Sequence, residues 1–165
     1  MKNFSAPMFL ASSLALLSGC ASDALSAQGT AILTSTIAGQ TPTRMGFDFS
    51  ARSTTLEAGS GFNGSCIQVA NRWEVDIARE SPGADEFKRF HLSIPIPAQG
   101  QARESPQATF DVGSTTFAAS GTCTDTTTTI SDGLHVITRC TGVRATGDSR
   151  VIEADINLVL NNCAL

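Results

Sequence analysis

The chain of 165 residues has no tyrosine, one tryptophan and two histidines, and charged residues make up only 16% of it. His91 and His135 are the only imidazoles, so nucleophilic catalysis with a histidine base has two places to sit. Neither is accompanied by a G-x-S-x-G elbow or an S-x-x-K motif. Both read as surface positions, His91 on the polar side of a strand and His135 just after a turn. Lysine is nearly missing: Lys2 and Lys88 stand against nine arginines spread singly. Without a basic patch, nucleic acid and anionic lipid headgroups are poor partners, and no nucleic acid is expected. Apolar residues nowhere recur at the helical period of about 3.6 over several turns. No internal repeat of about 20 to 50 residues is present. These two absences exclude helical bundles and solenoids. The length favours one domain.

The N-terminal segment is the one long apolar run. Residues 1–20 read MKNFSAPMFLASSLALLSGC. Lys2 supplies a short positive region, and Met8 to Leu17 form an apolar stretch broken by Ser12 and Ser13. A membrane span needs ~20 apolar residues, so this stretch fits a secretory signal. Its end, Leu17-Ser18-Gly19-Cys20, resembles the lipobox of bacterial lipoproteins. That resemblance implies cleavage before Cys20, attachment of diacylglycerol to its sulfur and acylation of the new α-amine by a palmitate-type chain. Several acyl chains on one residue anchor firmly, since each buried CH₂ contributes ~0.8 kcal/mol. Ala21 and Ser22 follow, with no aspartate beside the cysteine. By resemblance to Gram-negative sorting this implies the outer membrane, with the periplasmic or outward orientation open. The expected organisation is a signal peptide over 1–19, a lipidated tether over 20–28 and one β domain over 29–165.

Cys20 is then the odd cysteine. Cys66, Cys123, Cys140 and Cys163 remain, an even number in an oxidising compartment, and predict two disulfides. No C-x-x-C pair exists, so no zinc site is expected. A turn near Asp132 brings Cys123 and Cys140 opposite each other across a hairpin, with Gly133 absorbing any register mismatch in a bulge. Cys66 and Cys163 form the second expected pair.

Alternation marks the strands. In RWEVDIA, Trp73, Val75 and Ile77 alternate with Glu74 and Asp76. In FHLSIPI, Phe90, Leu92, Ile94 and Ile96 share one face, and Pro95 points to a sheet edge because it cannot donate to a ladder. In VIEADINLVL, Ile152, Ala154, Ile156, Leu158 and Leu160 oppose Glu153, Asp155 and Asn157. Weaker strands are expected over 29–37, 45–52, 107–112, 115–120, 122–130 and 134–144. ARESPGADEF reads as a loop with one helical turn around Asp85 to Arg89. The pattern predicts an all-β antiparallel sandwich, or alternatively a small closed barrel, braced by disulfides. Beyond the lipobox the chain resembles small β-rich lipoproteins of Gram-negative bacteria, a likeness that carries no functional residues.

Three further motifs bear on chemistry. GSGFNG (59–64) has the G-x-G-x-x-G spacing, but a strand-like stretch follows it, which points to a flexible connection. TDTTTTISD (124–132) lacks the glycine and terminal glutamate of a calcium loop and reads as an exposed threonine strand. Glu74 with Asp76, and Glu153 with Asp155, share strand faces. If the strands are neighbours, four carboxylates form a candidate contact face. A solvated charged surface accounts for the same alternation. No catalytic residue, cofactor or metal is expected. The favoured function is a non-catalytic structural or binding module of the cell envelope, monomeric, meeting the membrane through its lipid and an envelope protein or glycan through its surface. The alternatives are a carrier of an apolar ligand in a barrel, and an enzyme whose site is not recognisable.

Overall fold

The computed structural model describes residues 23–100, 102–120 and 122–164; the expected signal peptide and Cys20 lie outside them. Twelve strands run in chain order: β1 (Ser26–Thr36), β2 (Thr43–Asp48), β3 (Thr54–Thr55), β4 (Phe62–Val69), β5 (Arg72–Arg79), β6 (Phe87–Pro95), β7 (Gln107–Val112), β8 (Thr115–Ser120), β9 (Cys123–Asp125), β10 (Thr128–Ile130), β11 (Gly133–Arg144) and β12 (Val151–Asn161). They form two antiparallel sheets. The larger has the order β10-β11-β12-β1-β2, with β9 also on β11 and β3 on β1; the smaller is a meander, β4-β5-β6-β7-β8. Among the described residues neither sheet closes on itself, so the fold is a sandwich and the barrel alternative falls. The core is filled rather than hollow: Phe47, Phe87, Phe90, Phe110 and Phe117 are fully buried. Phe47 stacks on Phe87 with ring centroids 4.4 Å apart.

Both disulfides join the expected partners, Cys66 to Cys163 and Cys123 to Cys140. Cys123 faces Cys140 directly across β9 and β11, and Ile130 faces Gly133 with the same offset. A two-residue turn, Ser131-Asp132, therefore sets the register, and the bulge expected at Gly133 is not there. Gly133 serves another purpose, since a Cβ there would lie 1.9 Å from the Leu160 carbonyl oxygen of β12. The bulge in β11 falls instead between Cys140 and Val143.

Three further expectations are corrected. The β domain begins before residue 29, because β1 starts at Ser26 and Ala27 is fully buried. The small polar run SAQG conceals the strand start: Gly29 (φ 117°) passes so close to β12 that a Cβ would meet the Asn157 carbonyl oxygen at 2.2 Å. β6 is central, not an edge. Pro95 fits there because the β6–β7 ladder stops at Ser93 and the next N–H, of Ile96, turns the other way to the Asn71 carbonyl. Residues 87–89 are strand rather than helix. The preceding turn is closed by Glu86, whose carboxylate accepts from the Gly83 N–H and from Arg79.

After β11, Asp148 and Arg150 clamp a turn. Arg150 donates through its backbone N–H and side chain to Asp148, and through its guanidinium to Thr115 at 3.0 Å, while lying over the Phe117 ring. Hydrogen bonding by the Arg150 side chain, then by its backbone, holds the Asp148 carboxyl far below the usual carboxylate range. A depressed folded value stabilises fully above the unfolded value and loses that contribution as pH falls toward the folded one. Asp148→Asn is expected to cost about 2 kcal/mol at neutral pH. In urea unfolding, the gap to wild type should narrow steadily below about pH 4. A gap that stays constant into acid contradicts this account.

Candidate functional site

The outer face of the smaller sheet carries the densest polar cluster that the sequence pointed to. Alternation on β5 buries Trp73, Val75 and Ile77 and turns Glu74 and Asp76 outward. On β6, Glu74 lies opposite Ser93, Asp76 opposite His91 and Ala78 opposite Arg89. The side chains form a continuous row. Arg72 donates to the Ser93 hydroxyl at 2.6 Å and to its carbonyl at 2.8 Å. Ser93 in turn donates to Glu74 at 2.6 Å. His91 lies between the two acids, Nε2 at 3.1 Å from Glu74 and Nδ1 at 3.5 Å from Asp76. Arg89 grips Asp76 through Nε at 3.0 and 2.8 Å. Those bonds raise the Arg89 guanidinium above its ordinary value.

Beside the row is a shallow depression of about 480 Å³, bordered by Asn63, Ser65, Glu74, Asp76, Arg89 and His91. The chemistry of the row is that of charged and polar groups already held by one another. Both ring nitrogens of His91 face carboxylates, and the Ser93 hydroxyl is buried and committed to Glu74. Such a surface offers donors and acceptors in set positions to a polar partner. Among the described residues no three His, Cys, Asp or Glu side chains are placed to hold a metal ion.

Glu153 and Asp155 do not join this row. They lie on β12, in the other sheet. The two sheets bury their apolar sides against each other, so the two acidic pairs look out from opposite faces of the sandwich. The single four-carboxylate face is thereby overturned. Asp155 instead lies 3.8 Å from Arg139. His135, on the same sheet, contacts the Asn157 side-chain oxygen at 3.0 Å.

GSGFNG is not a loose connection. The Gly59 and Gly61 N–H groups donate to the two oxygens of Glu80 at 2.7 and 3.0 Å, and β4 follows. Thr126, Thr128 and Thr129 are exposed as expected, whereas Asp125 and Thr127 turn inward. The Asp125 side chain is 1% exposed and Thr127 is buried. Asp125 accepts from the Thr127 N–H at 3.1 Å, the Thr138 hydroxyl at 3.0 Å and Arg103 at 2.6 Å. Arg103 also donates to the Thr127 carbonyl at 2.8 Å. It thus straps the long β6–β7 loop of the smaller sheet to the larger sheet. The Asp125-x-Thr127 spacing is an Asx-turn signal, but Arg103 lies 22 residues away in sequence, and nothing local announces it.

Under that strap lies a cleft of about 350 Å³ lined by Trp73, Ile94, Ile96, Pro97 and Leu134 with Arg103. A second hollow, about 510 Å³, flanks the same loop between Val69, Arg72, Ile96, Pro97, Ala98 and Glu104. Comparison with family models, characterised proteins and solved structures finds no match to this chain.

Proposed function

We propose that the protein is a lipid-anchored module of the bacterial outer membrane that works by contact, structural or binding, rather than by turnover. The observation that carries this reading is the position of the lipobox cysteine relative to the fold. Cys20 stands six residues before Ser26, where β1 begins. That distance spans at most ~20 Å of extended chain. β1 is an inner strand, between β12 and β2, so a short tether would pull on a sheet centre, where load is shared by two ladders. Anchoring raises local concentration and lets a modest surface act without high affinity. The row from Arg72 to Arg89 suits that use: its side chains already hold one another, so little ordering entropy is lost on contact with an envelope protein or glycan.

Cys20→Ser tests the reading. The variant is expected to lose incorporation of labelled palmitate and to move from the detergent phase to the aqueous phase in phase partition. A Cys20→Ser protein that still enters the detergent phase at the wild-type mature mass overturns it.

A further inference from the structure

We infer that the end of the sandwich formed by the β4–β5 turn and the β6–β7 loop rests on the lipid bilayer. This rests on the anchoring proposed above and adds which surface the anchor brings to the membrane. The start of the domain is fixed beside that end. The Ala24 carbonyl accepts from the Asn162 side chain at 2.9 Å. The adjoining residues Cys163 and Ala164 lie against β4: Ala164 donates to the Cys66 carbonyl at 2.8 Å and accepts from the Gln68 N–H at 2.9 Å. The tether therefore leaves next to Ile67 and Val69, which are 40% and 49% exposed, the two most exposed large apolar residues among those described.

Val69 continues across the second hollow to Ile96, Pro97 and Ala98. The two segments that make this end, 65–71 and 94–100, read SCIQVAN and IPIPAQG and carry no charged side chain. The outer sheet faces, by contrast, are studded with Glu, Asp and Arg. An apolar rim, with Arg72 and Glu104 at its border, suits the boundary of headgroups and acyl chains, where aliphatic side chains leave water and charged ones stay among the headgroups. Reach supports the same side. β12 has 11 residues, about 36 Å of strand, whereas the tether extends at most ~20 Å. The opposite end is held away from the bilayer.

The test places p-benzoylphenylalanine at position 69, 97 or 137 in the full chain. The acylated proteins are reconstituted in vesicles of phosphatidylethanolamine with a minor share of phosphatidylglycerol, irradiated and weighed by mass spectrometry. Ile137 is a matched control, 38% exposed on the outer face of the larger sheet. Phospholipid adducts at 69 and 97 are expected in at least about fivefold excess over 137. Equal yields at the three positions, or protein adducts instead of lipid at 69 and 97, overturn the inference. Amide exchange of the unsubstituted protein probes the same contact without a variant at the rim: 67–71 and 96–100 should slow in vesicles relative to the Cys20→Ser domain in solution, and unchanged rates count against it. The mass of Cys20 in the same samples separates the two proposals. Acylated protein without adducts at 69 and 97 defeats the membrane-facing end alone, and unacylated Cys20 defeats the anchoring reading and this inference with it.

Discussion

Replacing Cys66 and Cys163 together by alanine is expected to remove about 4 to 5 kcal/mol of stability and to make the domain self-associate. The bond closes a loop of 97 residues. In the chain-entropy model a loop of about 100 residues is worth ~4.7 kcal/mol, against ~3 kcal/mol for a loop near 15, the scale of Cys123–Cys140 with its separation of 17. Domains of this size are stable by only about 5 to 15 kcal/mol, so the loss is a large share of the whole. The second consequence is local. Cys163 holds Ala164 in register along β4, whose outer side is otherwise open. Freed of that cover, an edge carrying Ile67 and Val69 becomes a template for a second copy. Urea midpoints and light scattering of the two alanine pairs, 66 with 163 and 123 with 140, decide the matter. A smaller midpoint shift for the 66/163 pair, or the same scattering from both, contradicts this account.

Arg103→Ala is expected to cost about 3 kcal/mol. Removing the guanidinium leaves Asp125 as a buried carboxylate supported only by two threonines, and breaking one partner of a buried pair is far more costly than its presence is stabilising. Arg103 is one-third exposed, which keeps the figure at the lower end of the usual range. Asp125→Asn should cost less, because the amide still accepts from Thr127 and Thr138. With the carboxylate already gone, adding Arg103→Ala should cost little more, giving a clear coupling in a double-mutant cycle. Denaturation of the three variants measures it. An Arg103→Ala effect within about 0.5 kcal/mol of wild type, as for an ordinary surface change, removes the strap as a source of stability.

β5, β12 and the later part of β6 were legible in the sequence because apolar and polar residues alternate there. The Cys123–Cys140 pair was legible because a hairpin turn and a fixed register are local facts. What local pattern does not carry is sheet membership. Glu74 with Asp76 and Glu153 with Asp155 look alike as strings, and only the long-range pairing of β12 with β1 sends the second pair to the far face. Pro95 misled for a related reason: a missing N–H marks a ladder that has ended, and a central strand can outrun one neighbour while keeping the other. The Arg72–Ser93–Glu74–His91–Asp76–Arg89 row was half visible as residues of one face. Their contacts depend on the β5–β6 register, which a long loop between the two strands leaves unspecified.

The position of β1 also governs when the domain can form. Its neighbour β12 pairs Ser26 with Asn161 and Thr36 with Val151, so the larger sheet stays incomplete until β12 has been made. The smaller sheet is a local meander, yet its outer strand waits for Ala164. Pairings this distant in sequence make folding slow. The strand that begins at Ser26 is held open for more than a hundred residues before its β12 partner exists.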